Sequence, residues 1–586
     1  MKKTTLSTLI LIVAFMFGIQ LSISAQEMLY QVPMTEQVQA SSQIVEGKVI
    51  EKASFWDNAQ MNIYTVNTVE IYKVFKGQSL VDTIEVITPG GTVGDDYEVV
   101  TPSLGLNVGD IGVFMLHNNN VTITNGTTRP KYKAYSSIQG FYKYDLSTNT
   151  AYNPYYTIEN ISGSFYNAIQ SLTNGAPVEV NPFDVDQVSA NRSTGGVANI
   201  TSFSPTTVNG GVRDLLTING FGFGVAGTVG FRDANFGGSQ FYDALNSQLV
   251  SWSDTQIVVE VPSRAGTGNI RVQPISGGTA TSNNDLEVFY SQINASNGSS
   301  DFPTQHVDDN GIGGYTWQMH TDFNNNAAAN ASFLRAFDTW VCTTGVNWEI
   351  GSITTVDVIA ADGINVIRFD NGGELPAGIL GVNTSRFSGC SSSSPGGLDV
   401  FVNELDIVFN DTTNWQFGPA PATGGQIDFE TVAVHELGHA HQLAHIIDPG
   451  AIMHFAIGAN QTNRVLSDSD LGGGNDVMVR NINSPVCGQN VMTYSACSSL
   501  SVNDTFLAEN ISIYPNPAKD VINILSNASI QLDNATIFDV RGRKVLTQNF
   551  SNSTFNTINV EQLNSGVYFI QLNTESATTS KKFIVN

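Results

Sequence analysis

Five of the eight histidines in the 586-residue chain fall between positions 435 and 454. The core of that cluster reads His435-Glu436-Leu437-Gly438-His439-Ala440-His441-Gln442-Leu443-Ala444-His445, and it sets a tight geometric condition. On an α-helix, residues four apart are separated by one turn plus about 40°, so His435 and His439 face the same way. Two imidazoles placed like this suit a single zinc ion at ~2.0–2.1 Å. Glu436 neighbours the first of them and reaches a water at such an ion without being a ligand itself. Composition alone would produce this His-Glu-x-x-His spacing roughly 0.004 times in such a chain. A helix that merely carries solvated or core histidines is therefore the weaker reading.

His445 adds a second condition. Ten residues beyond His435, it would lie ~15 Å along a straight helix and well off the shared face. It can join the same ion only if the helix stops after His439 and the chain turns back. The turn falls at Gln442, where a left-handed backbone costs a non-glycine residue roughly 1–2 kcal/mol. A metal bond outweighs that cost. His441 is the competing third ligand, but six residues past His435 it points about 240° around the helix.

These residues resemble the metzincin signature HExxHxxGxxH, with Gln442 where that family has glycine. Met453, eight residues after His445, stands at the Met-turn spacing of the matrixin branch, whose methionine forms a hydrophobic base beneath the zinc. Met453-His454-Phe455 is closer to the Met-His-Tyr of astacins, but Phe455 has no hydroxyl to act as ligand or oxyanion donor. The resemblance implies one catalytic zinc on His435, His439 and His445, with Glu436 as general base and Met453 as the Met-turn. It further implies hydrolysis of internal peptide bonds in protein substrates. A gluzincin would need a downstream glutamate as third ligand, and the next one is Glu509.

The resemblance extends upstream. Phe333 to Trp340 looks like the first matrixin helix, and Phe369 to Gly378 like the glycine-rich segment before the substrate-binding edge strand. Matrixins carry structural-zinc histidines near there, but none lies between His320 and His435, so a second zinc is not expected. Asp308-Asp309-Asn310-Gly311 offers oxygen ligands, which makes structural Ca²⁺ a second candidate cofactor beside a plain solvated turn. Matrixin prosegments block zinc with a cysteine, and no cysteine precedes Cys342. Latency would then need another group, such as a carboxylate.

The remaining sequence reads as a series of modules. Lys2 and Lys3, the apolar run Leu9 to Phe17 and the small residues Ser24 and Ala25 form an export signal over 1–25. That run is short for a ~20-residue membrane span, so no transmembrane segment is expected after cleavage. Residues 26–190 are rich in strand patterns such as Ile44 to Ile50 and Ile63 to Phe75, suggesting a barrel-like β-domain that serves as spacer, adhesive module or prosegment. From 197 to 290, Phe203-Ser204-Pro205, Leu216 to Gly224 and Trp252 to Val259 resemble the immunoglobulin-like IPT/TIG family. The glycines at 220–224 precede no helix pattern, so a turn is favoured over a dinucleotide fingerprint. Over 297–500, helix and strand patterns mix, and Asp428 stands where the N-cap of the histidine helix should be. From 508 to 586, Ile511 to Ala518, Ile537 to Arg543, Leu563 to Ile570 and Lys581 to Val585 resemble the C-terminal sorting domain of the type IX secretion system. That resemblance implies the type IX machinery as a partner and either release or attachment to the outer cell surface.

The expected fold is multidomain, an α+β metzincin-like catalytic domain with all-β, immunoglobulin-like or sandwich accessory domains. In an exported protein, Cys342, Cys390, Cys487 and Cys497 suggest two disulfides. The local pairings are Cys342–Cys390 and Cys487–Cys497, although three connectivities are open. A net charge of −26 excludes a basic nucleic-acid footprint. The rival function is a surface adhesin with a non-catalytic metzincin-like domain, since several modules carry no visible chemistry.

Overall fold

The computed structural model describes residues 29–586 apart from 79–80, 123–126, 193–197, 276–277, 393–396, 496–510, 527–531, 541–542, 551–554 and 574–577. The expected signal segment 1–25 and Cys497 lie outside the described residues. The chain divides into two compact units, Met1–Ser495 and Ala496–Asn586. Among the described residues, no helix is long and apolar enough to cross a membrane.

The first unit begins with a closed ring of strands. Gln43–Trp56 pairs antiparallel with both Ile63–Lys76 and Ile111–Asn118. Thr83–Pro89 and Lys131–Ala134 complete the circuit between them. Closure removes the free edges that an open sheet of β-branched residues would expose. Val45, Val69, Ile84, Val86 and Phe114 fill part of its interior. Two further small antiparallel sheets follow between 199 and 281, packed around Leu216, Ile218, Phe231, Ile257 and Val272. There Gly222 and Gly224 take positive φ in a turn, as the absence of a helix pattern led one to expect.

Residues from about 300 to 495 form the α+β part of the first unit. Trp348–Ile350, Tyr315–Met319, Asn365–Phe369 and Leu398–Phe409 lie side by side and parallel. Gly381–Ser391, hereafter the edge strand, runs antiparallel to Leu398–Phe409. Helix Ala327–Thr344 carries Phe333, Phe337 and Trp340 on its buried face, the positions marked by their i, i+4, i+7 spacing. The Trp340 indole donates to the Val434 carbonyl at 2.8 Å, tying this helix to Phe429–Ala440, the site helix.

The N-terminal region does not stop at its own barrel. Its strand Asp96–Thr101 pairs antiparallel with the edge strand, from Asp96 opposite Ser388 to Thr101 opposite Asn383. Leu29 makes an antiparallel bridge to Ile379, and the Tyr30 amide donates to the Gly378 carbonyl at 2.7 Å. One hydrophobic cluster mixes Leu29, Leu104 and Phe114 with Ile379, Val382 and Val408 of the α+β part.

A charged group is buried in this junction. The Arg386 guanidinium lies 3.3 Å from Glu98 and 2.6 Å from both Glu404 and Asp406. One cation thus faces three carboxyls, and all four groups are almost fully buried. Burial pushes Glu98 up to about 7, against the opposing pull of Arg386 and the Ile63 amide. Burial raises Glu404 and Asp406 as well. A carboxyl whose pKa is higher folded than unfolded stabilises the fold below its unfolded value and loses that contribution as pH rises through its folded value. The melting temperature is therefore expected to fall from pH 4.5 upward through about 7, and Glu98→Gln to flatten part of that fall. Superimposable melting-temperature profiles for the two proteins would refute it.

The local disulfide pairing is corrected. Cys390 is bonded to Cys487, 97 residues away, with a Cα–Cα distance of 5.6 Å. The sheet places the far end of the edge strand against the chain that follows helix Asp468–Asn483, a proximity that sequence distance does not reveal. Cys342 is also disulfide-bonded. The second unit is two antiparallel sheets, one of three strands and one of four, around Ile522, Ile524, Ile537, Ile558, Ile570 and Phe583.

Candidate metal centre

The site helix starts where its N-cap was expected. Asp428 accepts from the Thr431 amide at 2.9 Å and its hydroxyl at 2.7 Å, satisfying one of the helix's unpaired amides. All twelve residues Phe429–Ala440 are buried. The helix ends at Ala440, and Gln442 takes φ 69°. The Gln442 amide donates to the His439 carbonyl and the Leu443 amide to the Gly438 carbonyl, both at 2.9 Å. That pair of bonds is a Schellman ending, usually built on glycine. Here the glutamine's left-handed backbone is held by its own side chain. Gln442 Oε1 accepts from the Thr304 hydroxyl at 2.8 Å, and Nε2 donates to the Ala440 carbonyl at 3.1 Å.

The turn returns His445 to the first two histidines. His445 Nε2 lies 3.2 Å from His435 Nε2 and 3.1 Å from His439 Nε2. Each ring's other nitrogen faces an oxygen: His435 Nδ1 the Ile452 carbonyl at 2.7 Å, His439 Nδ1 the Leu443 carbonyl at 2.8 Å, and His445 Nδ1 Asn235 Oδ1 at 2.9 Å. With every Nδ1–H donating, the three Nε2 atoms present lone pairs to one another. Such lone pairs repel unless a cation lies among them. Tetrahedral ligands ~2.0–2.1 Å from zinc sit about 3.3–3.4 Å apart, so the spacing fits that ion. Burial holds all three imidazoles below their ordinary pKa, His439 at about 4, which favours the neutral form that ligates. Among the described residues these three are the group of His, Cys, Asp or Glu side chains close enough to share a metal.

Glu436 is fully buried beside them. Neither carboxylate oxygen accepts a hydrogen bond of ordinary geometry. Burial raises its pKa well above the usual range, and only the Asn383 backbone opposes the shift. It lies against the start of the edge strand, where a Cβ on Gly381 would come within 3.0 Å of Oε1. Met453 is buried under the helix, and a Cβ on Gly438 would meet its sulfur at 2.2 Å. His441 points elsewhere: its Nε2 lies 3.0 Å from the Thr344 hydroxyl, and its ring packs between Trp340 and Trp348. The Asp308–Gly311 loop uses its side chains on turn amides, Asp308 for Gly313 and Asn310 for Ile312 and Gly314.

Three supporting residues were not anticipated. Asp470 accepts from the Ile452 and Met453 amides at 2.8 and 3.0 Å, fixing the turn beneath the histidines. The Ser467-x-x-Asp470 capping box was the available signal for it. Thr304 and Asn235 reach the site from distant segments and leave no local trace in the sequence. A cavity of about 300 Å³ opens beside His439 and His445, walled by Leu29, Leu104, Phe236 and Phe455.

Comparison with known proteins divides the chain by segment. Residues 396–477 match the matrixin family model, 198–289 the IPT/TIG domain, and 512–586 the secretion system C-terminal sorting domain. Matrix metallopeptidase-21 of Danio rerio is 40% identical over 77 residues, which is 13% of this chain and 12% of that protein. The chain therefore spans about an eighth of that curated relative. Among solved structures, a DUF3244 family protein with an immunoglobulin-like β-sandwich from Bacteroides vulgatus is 15% identical. The match covers 13% of this chain and 83% of that one at a TM-score of 0.12. A biofilm-associated protein BSP domain is 8% identical, covering 93% and 81% at a TM-score of 0.17. Neither score describes a shared overall fold.

Proposed function

We propose that the chain, which carries a matrixin domain, an IPT/TIG domain and a type IX sorting domain, is an exported zinc-dependent endopeptidase. The observation that carries the reading is the convergence of three Nε2 lone pairs, two of them 3.1–3.2 Å from His445, beside the buried Glu436 carboxyl. His435, His439 and His445 would hold the ion. Zinc bound there supplies Lewis acidity, polarising a peptide carbonyl and lowering the pKa of water. Glu436 performs the proton work: an Oε atom accepts a proton from the attacking water and delivers it to the nitrogen of the leaving amine. Its dry surroundings strengthen that exchange, because no competing donor of ordinary geometry holds the carboxylate.

A peptide substrate would lie extended along Gly381–Ser391, taking the main-chain bonds that Asp96–Thr101 holds there. The C-terminal match supports export through the type IX machinery, to the medium or the outer cell surface. The test is zinc content and peptide hydrolysis of the purified chain, before and after limited proteolysis. One zinc per chain is expected, with hydrolysis lost to a chelator and restored by zinc. Hydrolysis indifferent to chelation would overturn the reading.

A further inference from the structure

Two of the three histidines are oriented by backbone carbonyls of their own domain, whereas the third is oriented by a side chain from elsewhere. Asn235 lies 210 residues before His445, in the immunoglobulin-like part of the chain. It occupies a short 3₁₀ turn, Ala234–Phe236, whose N-cap Asp233 accepts from the Asn235 amide at 3.1 Å. Asp233 is itself fixed by Arg264, whose Nε donates to Oδ1 at 3.3 Å and whose Nη2 reaches Oδ2 at 2.5 Å. The Arg264 guanidinium stacks over Tyr242 at 4.7 Å. The oxygen that meets His445 thus rests on a partly buried ion pair, not on a free loop.

Beside the cavity, the turn packs closely against Ile447 and Phe455, which follow His445. Gly237 takes φ 58°, and a Cβ there would lie 2.3 Å from the Phe455 ring. A Cβ on Gly238 or Gly266 would lie 2.9 or 2.5 Å from Ile447 Cδ1. The segment leaving this domain clamps the turn that delivers His445. The Ser291 carbonyl accepts from the Ala444 amide, and the Ile293 amide donates to the Gln442 carbonyl, both at 2.9 Å. Gln292 bridges antiparallel to Leu443 between them.

We infer that Asn235 is a positioning residue of the metal centre. Its Oδ1 accepts Nδ1–H of His445, which fixes the tautomer that leaves Nε2 free for the ion. The immunoglobulin-like domain is then a structural part of the metal site and not a spacer. This rests on the zinc reading above. Partners that orient ligand histidines typically contribute 10–100-fold to metal affinity.

The experiment uses the full chain. Zinc affinity is measured by competition with a chromophoric chelator, and ligand geometry by the visible spectrum of the Co²⁺-substituted protein. Asn235→Ala and the near-isosteric Asn235→Leu are expected to lose about 10–100-fold in zinc affinity and to alter the cobalt bands. Asn235→Asp, which keeps an acceptor in place, is expected to restore both. The melting temperature of the metal-free proteins should be unchanged, separating the effect from general loss of structure. Wild-type affinity and spectrum in both Ala and Leu variants would overturn the inference while leaving the zinc reading intact. A wild-type chain that binds neither zinc nor cobalt would overturn both.

Discussion

Glu436→Gln is expected to leave metal binding unchanged and to lower peptide hydrolysis by about two to four orders of magnitude. The residue is not one of the converging ligands, so its replacement removes no donor from the three-histidine set. Gln preserves the shape of the side chain, which matters in a fully buried position pressed against Gly381. What it removes is the ability to accept and return a proton. A buried carboxyl held by no hydrogen bond of ordinary geometry is a standing cost to stability, of the kind usually retained where chemistry needs it. The amide variant relieves that cost, so its melting temperature is expected to equal or exceed that of the wild type. Zinc content, hydrolysis rate and melting temperature together check the assignment. A variant that binds zinc and still cleaves at the wild-type rate would remove Glu436 from the mechanism.

Helix geometry is local, so the spacing within the histidine run constrains its arrangement in three dimensions. The spacing of 435 and 439 fixes a shared face, and the distance to 445 forces the chain to reverse. The observed φ of 69° at Gln442 is that reversal. Asp428 as cap and Phe333, Phe337 and Trp340 as a buried face were legible on the same local grounds. The unforeseen features all depend on long-range contacts. Asn235 meets His445 across 210 residues, Cys390 meets Cys487 across 97, and Asp96–Thr101 pairs with the distant strand Gly381–Ser391. No spacing rule encodes such pairs; they follow from how the folded domains dock. The Gln442 departure from glycine also acquires a reason only in the structure, where Thr304 and Ala440 hold its amide.

The largest effect after Glu436 concerns that joined strand. A disulfide introduced by Val99→Cys and Ser385→Cys is expected to abolish cleavage of protein substrates, and reduction to restore it. The two residues face one another across the antiparallel pair. Opposed antiparallel residues have Cα atoms roughly 4.5–5.5 Å apart, within the range a disulfide spans. An extended substrate needs the free hydrogen-bonding side of the edge strand. Asp96–Thr101 holds that side along 383–388, and Leu29 and Tyr30 hold 378–379. On the proposed endopeptidase reading, substrate and the chain's own strand would compete for the same backbone groups, and cleavage would require the strand to part from the edge. The raised Glu98 carboxyl works in the same direction: above pH 7 it ionises in a buried group where one guanidinium, Arg386, already serves Glu404 and Asp406, and docking weakens. Reductant also reaches Cys390–Cys487, so wild-type protein treated in parallel supplies the baseline. Equal rates for the oxidised and reduced double variant would show that substrate reaches Glu436 without displacing Asp96–Thr101.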